Sequence, residues 1–452
     1  MHAHNSDFAK LWAALTVSVV GTQISLLALP LLAVLVLEAS PLEMGVLAAA
    51  GQVPFFLFSL PAGVWVDRIR RRPLLIAADV GCALLLLSIP VATLFDGPTF
   101  VQLCVVAFGV GALTVASEIA HYAYVPALVG RERLTACNSK LQVSHSAAAA
   151  AGPSFGGLLV QILSAPLAVV ADAASFMCSA ILLRSIRHTE PARDADTTRS
   201  RWRDSIHEGV RMLLKHPMLR AIMLGGTTAT LFEAGFLALY VLYATRDLGL
   251  NPGEIGLIFA AGGVGAVPGA LMAEAAGRRF GAGRIIVGGW ALAAFAAVLV
   301  PFVRGGETVV LLAGINAFGA SADAAANVLQ WSLRQSLTPD RLAGRVTATH
   351  RFIVYGATTA GSLAGGALGG VAGLRPTLVM CGIGMMLGPV IVFASPLRGL
   401  GRVPVAPAST ADDEGEDPQS SGANATAVAG QDRAVVGETR QGATTSLDER
   451  VG

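Results

Sequence analysis

Three carboxyl groups lie where a carboxyl group is expensive. Glu118, Glu233 and Asp323 each fall inside a long apolar stretch, and acids in such places are functional candidates by default. Walled off from bulk water, a carboxyl group can take up a proton on one side of a membrane and release it on the other. The alternative is an acid that fixes a helix contact. His121 stands one turn after Glu118 as a possible partner, and His145 is a further titratable group in an apolar stretch. Around Glu233, Phe232, Phe236 and Tyr240 recur at four-residue spacing. Such a stripe either lines a binding surface for a large amphipathic molecule or packs against neighbours.

Other chemistries are not encoded. The chain contains no G-x-x-x-x-G-K-[ST] phosphate loop, no nucleophile–base constellation and no metal-ligand spacing, so neither an enzyme nor a cofactor nor a metal is expected. Cys82, Cys104, Cys137, Cys178 and Cys381 form no CxxC motif and read as small buried hydrophobes. No nucleic-acid partner is implied either.

The elements that must position these groups are membrane helices. Hydrophobic residues make up 54% of the chain and charged residues 14%, whereas soluble domains carry about 25% charged residues. Twelve apolar segments follow one another, at roughly 11–37, 43–66, 74–95, 99–124, 137–163, 166–187, 219–244, 254–276, 284–303, 307–331, 347–372 and 376–395. About twenty apolar residues are enough to cross a bilayer as a helix. The segments are too long and too continuously apolar for barrel strands. An all-α protein of twelve transmembrane helices is the expected fold. The polar start shows no signal-peptide pattern, so the first segment is read as a retained helix.

Orientation follows from residues 63–73, where Asp67, Arg68, Arg70, Arg71 and Arg72 separate two apolar runs. Positive residues are retained inside, which places this loop and both termini in the cytoplasm of a multi-pass cell (inner) membrane protein. Loops on that side also hold Arg131, Arg133, Arg184, Arg278, Arg279, Arg334 and Arg345. Those on the other side hold Arg246, Arg304 and Arg375. Residues 188–218 form a charged connection in which Ile206, Val210, Leu213 and Leu214 recur at helical spacing, predicting an interfacial amphipathic helix. From 396 to 452 the composition predicts a disordered cytoplasmic tail.

The chain repeats itself at an offset of 207 to 209 residues. Glu132-Arg133-Leu134 matches Asp340-Arg341-Leu342, Gly152-Pro153-Ser154-Phe155-Gly156-Gly157 matches Gly361-Ser362-Leu363-Ala364-Gly365-Gly366, and the arginine loop returns as Glu274-Ala275-Ala276-Gly277-Arg278-Arg279. Two six-helix halves, 1–187 and 219–395, with a site between them form a transporter architecture.

Here a resemblance can be named. Gly63, Asp67, Arg71 and Arg72 resemble the G-x-x-x-D-x-x-G-R-R signature of the major facilitator superfamily, with Arg70 in place of the second glycine. Gly152, Pro153, Gly156 and Gly157 look like the end of that superfamily's helix-five antiporter signature. The stretches at 21–30, 172–176, 208–210 and 339–346 are similar to the enterobactin exporter and macrolide efflux branch. The resemblance implies a cavity lined by helices one, four, seven and ten, which adds Gln23 to Glu118, Glu233 and Asp323 as candidates for proton coupling or substrate contact, beside Phe232 and Phe236. It also implies a conformational gate at Gly63, Asp67, Arg71 and Arg72 and at Glu274, Gly277 and Arg278. Asp79 is expected to join that charge network, and Asp172 to hold a helix contact. The expected function is secondary active, proton-coupled export of a hydrophobic or amphipathic small molecule by a monomer, its partners being substrate, protons and lipid. Uptake by the same fold, the membrane part of an ATP-driven pump and a non-transporting receptor or scaffold are the alternatives.

Overall fold

The computed structural model describes residues 2–58, 70–95, 97–129, 134–186 and 202–401. Gly63, Asp67, Arg131, Arg133, residues 188–201 of the central connection and residues 402–452 therefore lie outside the described residues.

The first half comprises α1 (His2–Leu35), α2 (Pro41–Phe58), α3 (Arg71–Thr93), α4 (Phe100–Val129), α5 (Leu134–Leu163) and α6 (Ala165–Arg184). After the connecting helix α7 (Trp202–Lys215), the second half comprises α8 (Pro217–Arg246), α9 (Pro252–Phe280), α10 (Ala282–Leu299), α11 (Thr308–Leu337), α12 (Asp340–Ala372), α13 (Leu374–Met385) and α14 (Leu387–Phe393). Leu84, Val101, Leu271 and Val371, at 61, 70, 78 and 91% exposure, place large apolar side chains outside the bundle. That arrangement suits lipid and not water.

Among the described residues, eleven spans are long and apolar enough to cross a membrane, α13 and α14 together supplying one of them. The twelfth expected segment is α12. It has the length but is more polar, with Arg345, His350 and Arg351 toward its start. It is wedged between α2 and α8, so protein solvates those groups in place of lipid.

Arginines gather at one end of the bundle, called here the arginine-rich face. Apolar packing differs sharply between this face and the opposite one. On the opposite side one continuous core joins both halves, running through Leu31, Met44, Leu86 and Val160 to Leu239, Tyr243, Ile255 and Leu378. At the arginine-rich face each half has a separate core, Leu11, Leu75, Tyr124 and Ile186 in the first and Ile222, Ile286, Leu333 and Leu397 in the second. The halves are therefore sealed together at the opposite face and hold apart at the arginine-rich one.

The seal uses the same device twice. α2 opens with Ser40-Pro41-Leu42-Glu43-Met44-Gly45 and α9 with Asn251-Pro252-Gly253-Glu254-Ile255-Gly256. Each start is a capping box: the Ser40 N–H donates to Glu43 at 2.7 Å and the Glu43 N–H to Ser40 Oγ at 3.3 Å, while both Asn251–Glu254 bonds measure 2.9 Å. One turn later, Gly45 lies against Gly366 of α12 and Gly256 against Gly157 of α5. Pro supplies the preset first turn, and glycine lets two backbones meet where a Cβ would not fit. Asn251→Ala removes one capping bond and is expected to cost about 1 kcal/mol of stability, read as a lowered melting midpoint in detergent. An unchanged midpoint would show that the box contributes nothing.

One boundary moves, and one apolar face is covered. The second half does not end at 395, because Pro396–Gly399 forms a 3-10 turn whose Leu397 is fully buried in the second core. The connecting helix α7 turns Leu213 onto Leu219, Met223, Leu342 and Val346 of α8 and α12, so part of its apolar face is covered by protein. Glu208 of α7 also pairs with Arg345 of α12.

Candidate functional site

A cavity of about 860 Å³ runs through the second half and reaches the first half at α4. Its walls combine an apolar body with convergent polar groups, the usual character of a small-molecule site. Phe236, Tyr240, Phe259 and Trp290 form the apolar part. Phe236 and Tyr240 lie 5.7 Å apart between ring centroids, and Phe259 meets Tyr240 edge-on at 5.4 Å.

All three intramembrane acids face this cavity. Glu233, in the middle of α8, is exposed to it and not packed away. Asp323, in the middle of α11, accepts a hydrogen bond from Asn327 Nδ2 at 2.7 Å. Glu233 and Asp323 line the same walled space, and two like charges in one such space repel each other. Glu118 comes from the other half and accepts a 2.6 Å hydrogen bond from Arg351 of α12. Its expected partner, His121, instead has Nδ1 buried without a hydrogen-bond partner. Arginine wins the carboxylate because it brings a permanent charge and a planar fork.

The Glu118–Arg351 pair ties the halves ionically at the cavity wall, and α4 meets α12 through it and not through extensive helix packing. Nearby, α2 and α12 stack Phe55 on Tyr355 at 4.9 Å and Phe56 on Phe352 at 4.6 Å. The two charged side chains remain 29% and 36% exposed, so water screens them. A double-mutant cycle of Glu118→Gln and Arg351→Gln, read by thermal unfolding, is expected to give a coupling of about 1 kcal/mol or less. A coupling of several kcal/mol would mean that the pair is desolvated.

Other expected site residues are placed elsewhere. Phe232 packs on Gly384 of α13 and is not among the cavity-lining residues. Four residues advance a helix by 400°, so each step drifts about 40° and Phe232 leaves the face shared by Phe236 and Tyr240. Gln23 lies against Gly152 of α5. Gly152 and Gly156 admit α1 closely, Pro153 presents its carbonyl to Gly256, and Gly157 makes the crossing to α9.

Of the gate residues, Gly63 and Asp67 lie outside the described residues. Arg72 donates to the carbonyls of Leu183 and Arg184 at 3.0 and 2.6 Å, tying α3 to the C-terminal end of α6. Arg71 donates to the Ala123 carbonyl of α4 at 2.6 Å. These bonds stay within the first half. Glu274 and Arg278 pair at 2.5 Å along α9, but at 80% and 61% exposure the pair is worth little. Gly277 packs on Leu329 of α11. Asp79 and Asp172 are both buried, at 5% and 1% exposure. Asp172 accepts from Ser175 Oγ at 3.2 Å in its own helix, and one Asp79 oxygen has no hydrogen-bond partner.

The cations of the cavity are what sequence reasoning missed. Arg351 stands inside the eleventh apolar segment, where a search for buried cations as well as acids finds it. The apolar run of the tenth segment ends near 331 and leaves Arg334 to a loop, whereas α11 continues to Leu337.

Comparisons with known proteins agree with this architecture. A family profile described as "transmembrane secretion effector" matches residues 3–414. The chain is 28% identical over 400 residues to the multidrug efflux pump Tap of Mycolicibacterium fortuitum, covering 86% of this chain and 96% of that protein. It is 24% identical over 344 residues to the enterobactin exporter EntS of Salmonella typhimurium, covering 74% and 75%. Among solved structures, a bacterial homologue of the iron transporter ferroportin in its inward-facing state superposes with a TM-score of 0.70 at 17% identity, over 86% of this chain and 98% of that one. At that identity the likeness speaks for the fold alone.

Proposed function

Because the chain belongs to the transmembrane secretion effector family of the major facilitator superfamily, we propose that it is a secondary active exporter. It moves a hydrophobic or amphipathic small molecule outward while protons move inward. The observation that carries this reading is the convergence of Glu118, Glu233 and Asp323, from both halves, on one aromatic-walled cavity. The relatives named for multidrug efflux and enterobactin export support the direction and the substrate class.

In this reading the arginine-rich face and both termini are cytoplasmic, and the separate cores there describe a state open to the inside. Charge balance supplies the coupling. With the three carboxylates ionised, the cavity's acids exceed Arg334 and Arg351 by one charge, which favours a cationic group. Two protons arriving on Glu233 and Asp323 reverse the balance and expel it. The carrier then returns with protons aboard and releases them inside. A monomer suffices for this cycle.

The test is transport by purified protein in liposomes with an imposed pH gradient, using ethidium as a lipophilic cation. Ethidium is expected to move against the direction of the proton flux. Co-directional movement would favour uptake, and gradient-independent movement would remove the proton from the mechanism.

A further inference from the structure

One charge in the cavity is left without an anion. Arg334, in the last turn of α11, is 6% exposed, lines the cavity and has Nη1 buried without a hydrogen-bond partner. No ion pair joins it to an acid among the described residues, in contrast to Arg351, which Glu118 neutralises. The guanidinium lies over the Trp331 ring at 4.9 Å, which holds its plane but satisfies none of its donors. A buried cation without an anion is costly, and an anionic group entering the cavity would relieve that cost. A position in the last helical turn benefits from the backbone dipole, but an exposed lysine would gain that equally well.

The surroundings complete a subsite. Gln330, one turn back on α11, and His350 of α12 line the same cavity. Both side chains carry N–H groups able to donate a hydrogen bond to an acceptor. On α11 the polar residues Asp323, Asn327, Gln330 and Arg334 follow at intervals of four, three and four, so one helix face carries an acid near its middle and a guanidinium near its end. Eleven residues separate these two Cα atoms by about 16 Å. Since the guanidinium folds back over Trp331, the charges themselves are closer, on the order of 10 Å.

We propose that Arg334, with Gln330 and His350, forms an anion subsite, and that the exporter's substrates include amphipathic zwitterions. The carboxylate or equivalent anion docks on Arg334, the apolar body lies against Trp331, Trp290 and the α8 aromatics, and the amine points to Glu233 and Asp323. Planar carboxylates suit the site best, because guanidinium offers two parallel donors. This rests on the exporter reading above and narrows its substrate class.

The experiment titrates the full-length protein in lipid nanodiscs with norfloxacin, which carries a carboxylate and a basic amine, and with norfloxacin methyl ester, which lacks the anion. The acid is expected to bind about tenfold more tightly than the ester, the size of one charge-assisted hydrogen-bonding contact. Arg334→Gln should abolish that preference, so that the acid no longer binds more tightly than the ester, and Arg334→Lys should retain part of it. Equal binding of acid and ester by the wild type overturns the subsite, as does a preference that survives in Arg334→Gln. If the glutamine variant binds neither probe, the lysine variant and the wild-type ratio decide. If the wild type binds neither probe the subsite is overturned, and ethidium export in the liposome assay then separates the two readings: continued export removes the anion subsite alone, and failed export removes both.

Discussion

Glu233→Gln and Asp323→Asn are each expected to lower gradient-driven ethidium export on the order of 10²-fold, the scale at which a positioned proton-transfer group contributes. Both residues sit mid-helix on the cavity wall, and neither has a basic partner among the described residues: Asp323 is held by the neutral Asn327, and Glu233 is open to the cavity. Glutamine and asparagine preserve size and hydrogen bonding while removing the titration, so membrane insertion and melting behaviour should not change. Substrate exchange across liposomes without a pH gradient distinguishes coupling from binding. A variant that exchanges ethidium normally but no longer responds to the gradient has lost the proton and kept the site. Glu118→Gln is expected to differ from these two, because Glu118 is already neutralised by Arg351. Its loss should change the balance between conformations more than the coupling. Normal gradient-driven export by both Glu233→Gln and Asp323→Asn would remove these carboxyls from the mechanism.

The second large effect is expected at the seal. In Gly366→Val the new Cβ would stand 2.8 Å from the Gly45 Cα, 2.9 Å from the Pro41 carbonyl oxygen and 3.1 Å from the Gly45 N–H nitrogen. All three are backbone atoms and cannot swing aside as a side-chain tip would. The helices must separate, at a cost of about 1–3 kcal/mol for overpacking, and the opposite-face closure is weakened with them. Transport should fall to background and the melting midpoint should drop. Gly370→Val supplies the control, since it lies one turn further along the same helix with nothing within 4 Å of an added Cβ. Equal behaviour of the two variants would show that the crossing at Gly45 and Gly366 does not matter to the cycle.

How much of this was legible beforehand depends on the length scale. Asp323 and Glu233 were legible as candidates because a charge in an apolar run stands out against twenty uncharged neighbours. Glu118 was legible for the same reason, but its partner was not. His121 is one turn away on the same helix, whereas Arg351 is 233 residues away and reaches Glu118 only through the packing of the two halves. Phe232 shows the limit of periodicity. Four-residue spacing names a stripe, but the 40° drift and the neighbouring α13 decide which end of the stripe meets the cavity. The helix-five glycines were legible as a packing signature. That Gly152 and Gly156 serve α1 while Gly157 serves α9 depends on which helices approach.

Residue order alone establishes that the chain is a bundle of membrane helices, that it is built from two related halves and where its arginine-rich face lies. Apolar length, charge asymmetry and internal repetition are properties of the chain read in order, and no folding is needed to evaluate them. It even encoded the sealing device, in Ser40-Pro41-x-Glu43-x-Gly45 and Asn251-Pro252-x-Glu254-x-Gly256, although nothing local says which glycine each will meet. The tertiary structure alone decided which acids share a space, which arginine neutralises one of them and which is left without an anion. Those outcomes are set by helix rotation and by contacts between residues hundreds of positions apart. A rotation of a few tens of degrees moves a side chain from cavity to lipid without changing a single residue.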